Sequence, residues 1–219
     1  MRVKLVGVTP RAEEQIVHVA RVSSSRKDKK AKPEGLINYL IKNSHWSPFE
    51  HATLTVEIET SKAIGIQLIR HRSFSFQEFS QRYQNVNRLT DMFEHIELRK
   101  QAEDNRQSSV EVFDPTVGFT AGVTIGEIKA SFLVDEFLQR ATMLYNELLE
   151  AGVAREQARM VLPLATKTKM YMTGSVRSWI HFLSIRDDGH AQKEIQLVAK
   201  EIKKIFKKQF PMVSAALDY

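Results

Sequence analysis

Residues 70 to 83 carry the side chains of this sequence that are best suited to binding and chemistry. The segment opens with Arg70-His71-Arg72 directly after an apolar run, and cations on a buried support are costly unless they meet anions. The planar fork of arginine suits bidentate contacts to phosphate, although a helix stop with a surface turn is the ordinary alternative. Hydroxyl donors and aromatic rings follow at Ser73, Phe74, Ser75, Phe76, Phe79, Ser80 and Tyr83. This combination favours an anionic ligand that contains a ring.

Polar positions on two predicted helices fit the same kind of ligand. Gln67 lies three residues before Arg70 on one helical face, where its amide could complement a pyrimidine edge or bind a backbone group. In the predicted helix over 175–185, the side opposite the core face carries Arg177, His181 and Ser184, a pattern also typical of a solvent-facing stripe. Arg186 falls half a turn out of phase with that stripe, so we expect it to project from the helix end.

Strands and helices alternate in the pattern that must position these residues. Period-two alternation predicts strands over 1–8 and 52–60. We also expect a strand over 92–98 and an extended run over 168–173. Apolar faces predict helices over 12–22, 34–43, 63–70, 127–150, 155–160, 175–185 and 190–208. Ser61 suits the N-cap of the third helix, which is apolar nearly all round and should be buried. Gly152 should occupy the C′ position after the fourth helix. Loops over 23–33 and 72–90, and a mixture of loops and short strands over 99–127, complete the prediction.

The composition sets the class of protein. The chain has 219 residues, of which 42% are hydrophobic, so it can build a sizeable core. We expect one domain over residues 1–219, α/β of the α+β type, with a central mixed or antiparallel sheet flanked by long helices. The 32 Lys and Arg exceed the 26 Asp and Glu by six charges, which favours anionic partners. No stretch is long and apolar enough to span a bilayer, and we expect a soluble, cytoplasmic protein.

Missing residues and motifs exclude several chemistries. The sequence contains no cysteine, which excludes disulfides, thiolate metal sites and an enzyme thiol nucleophile. Neither a dinucleotide-binding G-x-G-x-x-G nor a P-loop occurs, and nothing resembles a G-x-S-x-G nucleophile turn. The histidines lack the spacing of a metal site, so we expect no metal ion.

The segment from Arg70 to Tyr83 resembles the signature of the flavin-dependent thymidylate synthases, R-H-R followed by S-x-R-Y. Further matches, in the family's order, are Ala20-Arg21-Val22-Ser23, His45-x-Ser47-Pro48-Phe49-Glu50-His51, Ala158-Arg159-x-Val161-Leu162-Pro163-Leu164 and Arg186-x-x-x-His190-Ala191-Gln192-x-Glu194-Ile195. The resemblance implies a homotetramer with active sites at subunit interfaces. It implies that the protein binds FAD, takes electrons from NADPH and methylates dUMP with 5,10-methylenetetrahydrofolate, with no nucleic-acid or membrane partner. The lack of cysteine agrees, because the flavin route needs no protein nucleophile.

The resemblance also implies roles for individual residues. It makes Arg186 the catalytic group, whose charge would stabilise negative charge on N3 of the pyrimidine and the adjacent carbonyl. The implied dUMP contacts are Gln67, Arg70, Glu78, Phe79, Ser80, Gln81, Arg82, Arg186 and, from a neighbouring subunit, Arg159. The implied FAD contacts are Ser47, Arg70, His71, Arg72, Glu78, Ser175, Val176, Arg177 and His181. Three further residues are expected to border the flavin or the folate, namely His45, Glu50 and His190.

Three positions depart from the family, which often has asparagine at Gln77, Ser175 and His181. The residues present keep hydrogen-bonding groups with a changed reach, which weakens the flavin contacts implied at 175 and 181. Two other functions remain open from the sequence. One is a single-stranded nucleic-acid module that stacks bases on the aromatic segment, and the other is a flavoprotein oxidase or sensor that has lost methyl transfer.

Overall fold

The structure, a computed structural model, describes residues 1–23, 32–89, 91–121 and 124–219. Within these ranges the strands are β1 Arg2–Val8, β2 Thr53–Ser61, β3 Ser75–Glu78, β4 Arg99–Gln101, β5 Ser109–Val112, β6 Thr116–Ala121, β7 Thr124–Lys129 and β8 Lys167–Ser175. The helices are α1 Ala12–Ala20, α2 Pro33–Lys42, α3 Lys62–Leu68, α4 Ala130–Glu150, α5 Arg155–Ala158, α6 Val176–Arg186, α7 Lys193–Gln209 and α8 Pro211–Ala216. Most of the loop predicted over 23–33 lies outside the described residues.

The chain forms two compact units, of which the first comprises Met1–Glu59, Gln67–Gln77 and Lys169–Tyr219. A four-stranded sheet has the order β1-β2-β8-β3. β1 and β2 are antiparallel, with Arg2 opposite Glu59 and Val8 opposite Leu54. α7 packs against β1 and α6 packs against α7, so the two helices cover the first unit's core.

Alternation along β2 determines which of its side chains are buried. Leu54, Val56 and Ile58 have no exposed surface, whereas the residues between them are partly exposed. Trp179 of α6 is fully buried and donates its indole N–H to the carbonyl of Leu54 at 3.0 Å. Removing a buried aromatic ring of this kind typically costs about 3–5 kcal/mol, so α6 is held firmly on β2.

The residues that begin and end α6 place its polar face. Ser175 is the N-cap, and its Oγ accepts the N–H of Ser178 at 3.2 Å. The predicted core face is confirmed, since its members are buried at Val176, Trp179, Ile180 and Leu183. The predicted opposite face is exposed at Arg177, His181 and Ser184. Arg186 is the last residue of the helix, so it lies at the helix end as predicted.

The second unit comprises Thr60–Ile66 and Glu78–Thr168. Two antiparallel hairpins, β4–β5 and β6–β7, occupy the region for which short strands are predicted. The buried Tyr145 of α4 belongs to one core cluster with Val86 and Ala158. α4 ends before Gly152, whose φ of 85° is the left-handed conformation that glycine adopts at C′. The predicted end of this helix is therefore confirmed.

Some local predictions are wrong. Residues 92–98 form no strand, because a ladder needs a continuous partner and only an isolated bridge joins Phe93 to Thr166. The third helix is not buried all round, since Ile66 is 42% exposed and Ile69, just past its end, is 47% exposed. β3 and α8 were not predicted.

The larger pattern is confirmed. Each of α1 to α7 begins and ends within three residues of its predicted bounds. The described elements make an α+β protein with antiparallel strand pairs. Among the described residues, no helix is both long and apolar enough to cross a membrane.

Candidate active site

Arg186 and His71 form a hydrogen bond in the first unit. Arg186 Nε donates to His71 Nε2 at 2.9 Å. The N–H of His71 donates in turn to the carbonyl of Leu68 at 3.0 Å, which holds the backbone just after α3. Two residues that lie 115 positions apart in the sequence therefore meet, and the guanidinium of Arg186 is fixed against the Arg70-His71-Arg72 segment.

The surroundings of His71 keep its ring neutral. Burial above all, and then the charges of Arg186 and His181, lower the pKa of His71 from 6.5 to about 4. A neutral ring can offer an unprotonated nitrogen as acceptor, which is the role that Nε2 takes here. Burial also lowers the pKa of Arg186, yet arginine remains charged in proteins. The pair is therefore a cation that donates to a neutral acceptor.

Phe74 supports this pair from the core. The sequence offers Phe74 as a ring that could flank a ligand, but its side chain is only 8% exposed. Its ring lies 4.6 Å from that of Trp179, and a Cβ at Gly174 would lie less than 3.0 Å from two carbons of the Phe74 ring. The ring of Phe182 lies 4.9 Å from that of His71. The prediction for Phe74 is corrected, because packing leaves its faces to protein neighbours.

The carboxylate of Glu50 accepts hydrogen bonds from two of the residues for which the resemblance implies flavin contacts. Ser175 Oγ donates to Glu50 Oε2 at 2.5 Å, and Arg177 Nη1 donates to Glu50 Oε1 at 3.0 Å. Ser47 is exposed at the start of the short helix that carries Glu50. Val176 is buried, and its N–H donates to the carbonyl of Ala52 at 2.8 Å. The structure thus brings together Glu50, Ser175 and Arg177.

Gln67 is engaged within the first unit. Its Nε2 donates to Gln192 Oε1, and Gln192 Nε2 donates to Glu194 Oε2 at 2.8 Å. Gln192 belongs to a motif that resembles the family, but no local pattern predicts its contact with Gln67, which only the structure shows. The oxygen and the second N–H of the Gln67 amide are the groups with which this side chain can bind a ligand.

In the second unit, the segment that follows β3 is partly buried. Glu78 accepts hydrogen bonds from Lys62 and Thr168. Phe79 and Ser80 are half-buried, and Gln81 is 7% exposed. The buried Nε2 of Gln81 has no hydrogen-bond partner among the described residues. Leaving such a donor unpaired costs about 1–3 kcal/mol, so this amide is suited to an acceptor on a bound molecule.

Two arginines of the second unit meet at Glu156. Arg82 Nη2 lies 3.5 Å from Glu156 Oε2, and Arg159 Nε donates to the backbone carbonyl of the same residue at 3.3 Å. Both Arg82 and the Glu156 carboxylate are about half exposed, so this ion pair is weak and can yield to a phosphate. Neither spacing nor periodicity in the sequence predicts that Arg82 and Arg159 share a residue.

The remaining histidines lie at exposed positions. His45 packs edge-on against Tyr39, with ring centroids 5.7 Å apart. His190 Nδ1 lies 2.8 Å from Asp188 Oδ1, and His181 is exposed on α6. The sequence reasoning missed Lys62 and Thr168, because their contact with Glu78 joins parts of the chain that no local pattern connects.

The side chains of the first unit suit the flavin that the resemblance implies. Arg70 and Arg72 are exposed, and in the part of the chain that the structure describes their guanidinium groups form neither an ion pair nor a hydrogen bond. Exposed guanidinium groups that are not neutralised suit a diphosphate. The donor set therefore fits FAD.

Comparisons with known proteins give a consistent match. A family model described as thymidylate synthase complementing protein matches residues 4–212. A flavin-dependent thymidylate synthase of Synechocystis is 42% identical over 93% of this chain and 88% of its own length. A probable flavin-dependent thymidylate synthase of Paramecium bursaria Chlorella virus 1 is 38% identical over the full length of both chains. A flavin-dependent thymidylate synthase of Thermus thermophilus is 35% identical over 93% of this chain and 70% of its own.

Proposed function

The chain belongs to the flavin-dependent thymidylate synthase family, and from this premise we propose how its residues serve the reaction. The reaction is the reductive methylation of dUMP to dTMP with FAD, 5,10-methylenetetrahydrofolate and NADPH. Bound FAD supplies the hydride for this chemistry. Because the chain contains no cysteine, no enzyme thiolate adds to the base. The protein therefore acts by positioning the reactants and stabilising charge.

The hydrogen bond from Arg186 to His71 is the observation that carries this assignment. It engages Nε and leaves Nη1 and Nη2 without partners among the described residues. These two nitrogens form a planar fork that suits N3 and the adjacent carbonyl of the pyrimidine. His71 is neutral, so the charge of Arg186 is not cancelled. Negative charge that develops on the ring is then stabilised by a cation that is already oriented, and Arg186 is the catalytic residue.

The other site residues divide between substrate and cofactor. For dUMP, we assign the phosphate to Ser80 and Arg82, supported by Arg159 from a neighbouring subunit. The rest of the nucleotide is assigned to Gln67, Arg70, Glu78, Phe79 and Gln81. For FAD, the exposed Arg70 and Arg72 hold the diphosphate, and the remaining contacts are Ser47, His71, Glu78, Ser175, Val176, Arg177 and His181. The unpaired amide of Gln81 supports a ligand at the segment after β3.

Assembly and location are part of the same proposal. We propose that residues 1–219 form one synthase domain, that four copies form a homotetramer, and that the enzyme works in the cytoplasm. Apolar side chains exposed along α4 support the assembly, namely Phe132, Phe137, Met143 and Leu144. Light scattering on the purified protein measures the mass, and a monomer that remains active would contradict the tetramer.

The test of the reaction centre is Arg186→Ala in the FAD-loaded enzyme. Removing one preorganised group that stabilises developing charge typically lowers kcat by about 10²–10³, and we expect FAD retention and the fold to be unchanged. Arg186→Lys keeps the charge without the planar fork, so its kcat should lie between that of the wild type and that of Arg186→Ala. Arg106→Ala changes an exposed arginine and is the control.

The assay follows the flavin absorption under anaerobic conditions together with dTMP formation. The wild-type flavin should be reduced by NADPH and reoxidised only when both dUMP and methylenetetrahydrofolate are present. Near-wild-type turnover by Arg186→Ala would remove Arg186 from the mechanism. NADPH oxidation without a dUMP-dependent product would indicate an oxidase, and a colourless protein that binds no FAD would overturn the flavin assignment.

A further inference from the structure

The carboxylate of Glu78 is held at one oxygen by two donors. Lys62 Nζ lies 2.8 Å and Thr168 Oγ1 lies 2.7 Å from the same atom, Glu78 Oε1. The ion pair is largely withdrawn from solvent, with side-chain exposures of 25% for Lys62 and 29% for Glu78, and Thr168 is 1% exposed. Among the described residues Glu78 Oε2 has no partner. The carboxylate is therefore fixed in orientation, with one oxygen still available to a ligand.

Helix stability does not account for a lysine at this position. Lys62 is the first residue of α3, where the helix dipole disfavours a cation. Its backbone is fixed independently, because its N–H donates to the carbonyl of Thr166 at 2.8 Å. The N-cap function belongs to Ser61, whose Oγ accepts the N–H of Ile64 at 3.4 Å. The ammonium group of Lys62 is thus unfavourable at the N-terminus of α3, and its ion pair with Glu78 offsets this cost.

We propose that Lys62 is a positioning residue for the binding of dUMP, acting through Glu78. The inference rests on the proposed function, in which Glu78 contacts a nucleotide that carries a phosphate dianion. An uncompensated carboxylate at that site would repel the phosphate. The ammonium group of Lys62 offsets this charge and, with Thr168, orients Oε2 toward a hydrogen-bond donor of the nucleotide.

The test compares four variants of the FAD-loaded enzyme. Lys62→Met removes the charge and nearly keeps the length of the side chain, and Lys62→Arg restores the charge. Thr168→Val removes the second donor. Thr166→Val is its matched control, because Thr166 is equally buried but its Oγ1 donates to the carbonyl of Pro163 and not to Glu78. For each protein, kcat and KM for dUMP are measured, and calorimetry gives the dissociation constant of dUMP without turnover.

The expected result is a change in dUMP affinity that separates from kcat. Lys62→Met should raise the KM and the dissociation constant of dUMP about 10-fold, which corresponds to about 1.4 kcal/mol, with kcat changed less than 3-fold. Lys62→Arg should recover most of the affinity. Thr168→Val should raise KM by about 3-fold, whereas Thr166→Val should leave it unchanged. The effect of Lys62→Met should shrink at high salt, because it arises from charge.

Two results would overturn the inference. One is a dUMP dissociation constant for Lys62→Met within 2-fold of wild type. The other is an equal loss of kcat, FAD content and thermal stability that Lys62→Arg does not restore, which would make the ion pair merely structural. The wild-type enzyme tests the proposed function separately. If it formed no dTMP, that function would fail, while the dUMP dissociation constants would still report on Lys62.

Discussion

A methyl group added at Gly174 should destabilise the protein. The φ of Gly174 lies outside the left-handed region, so the backbone conformation itself allows alanine. The obstacle is Phe74, since the new Cβ would lie less than 3.0 Å from its Cδ1 and Cε1. That ring cannot turn aside freely, because it is buried against Trp179 with 4.6 Å between ring centroids. The Gly174→Ala substitution therefore forces a shift in packed side chains.

Two opposing effects determine the size of the change. Replacing glycine by alanine reduces the entropy of the unfolded chain and stabilises a compatible site by about 0.4–1 kcal/mol. Overpacking a well-filled core costs about 1–3 kcal/mol. The second effect is larger, and the balance is a net loss of about 1 kcal/mol. For a chain of this length, that loss lowers Tm by about 2–4 °C.

The assay is unfolding by heat and by urea, with Gly35→Ala as the matched control. Gly35 lies inside α2, and a Cβ there would meet nothing within 4 Å, so the same substitution should stabilise by about 0.5–1 kcal/mol. In a Phe74→Leu background the overlap is relieved, and Gly174→Ala should lose its destabilising effect. The reasoning would be refuted if Gly174→Ala alone raised the Tm as Gly35→Ala does.

Two titratable groups, the half-buried His71 and the buried Glu13, should make stability depend on pH in opposite directions. The pKa of His71 falls from 6.5 to about 4 on folding, so the unfolded chain binds more protons between these values and stability is lost as the pH drops through this window. The urea midpoint of His71→Gln should not show this decrease between pH 7 and pH 5. A decrease in the variant as large as that in the wild type would contradict the prediction. Burial raises the pKa of Glu13 above 4.5, so its contribution to stability is lost as the pH rises above that value. Glu13 Oε1 accepts the N–H of Val213 at 2.8 Å, so Glu13→Gln should remove the pH dependence and keep the acceptor. Glu13→Ala leaves the N–H of Val213 without this acceptor and should lower the stability by about 1–3 kcal/mol. A urea midpoint of Glu13→Ala equal to that of the wild type would be inconsistent with this contact.

The predictable part of the fold is the part that local periodicity determines. An amphipathic helix presents its core face every three or four residues, and α6 follows this rule with Trp179 inward and His181 outward. Strand pairing depends on residues far away in the sequence. A strand is predicted over 92–98, yet in the structure only Phe93 pairs, in an isolated bridge with Thr166. The same dependence on distant partners explains why β3 was not predicted.

In the candidate site, too, some features follow from the local sequence and others depend on contacts between distant residues. Residue types alone indicated an anionic ligand near Arg70, and helical phase placed Arg186 at the end of α6. Neither argument could reveal that Arg186 donates to His71 or that Lys62 pairs with Glu78, because these contacts join distant segments. The pKa of His71 is also a property of the folded chain, since burial is its main cause.

The two partly buried polar contacts follow opposite electrostatic rules, and the roles that we propose for their residues account for the difference. A carboxylate would orient Arg186 as well as a neutral histidine does, but it would cancel the charge with which, in our proposal, Arg186 stabilises the reacting pyrimidine. His71 accepts from Arg186 Nε and leaves the charge of the guanidinium intact, and its own low pKa is caused mainly by burial and then by the charge of Arg186. Glu78, for which we propose a contact with dUMP, carries a charge of the same sign as the phosphate, and Lys62 supplies the opposite charge. In this proposal, the charge of Arg186 is kept where it would stabilise the reacting ring, and the charge of Glu78 is offset where it would repel the substrate.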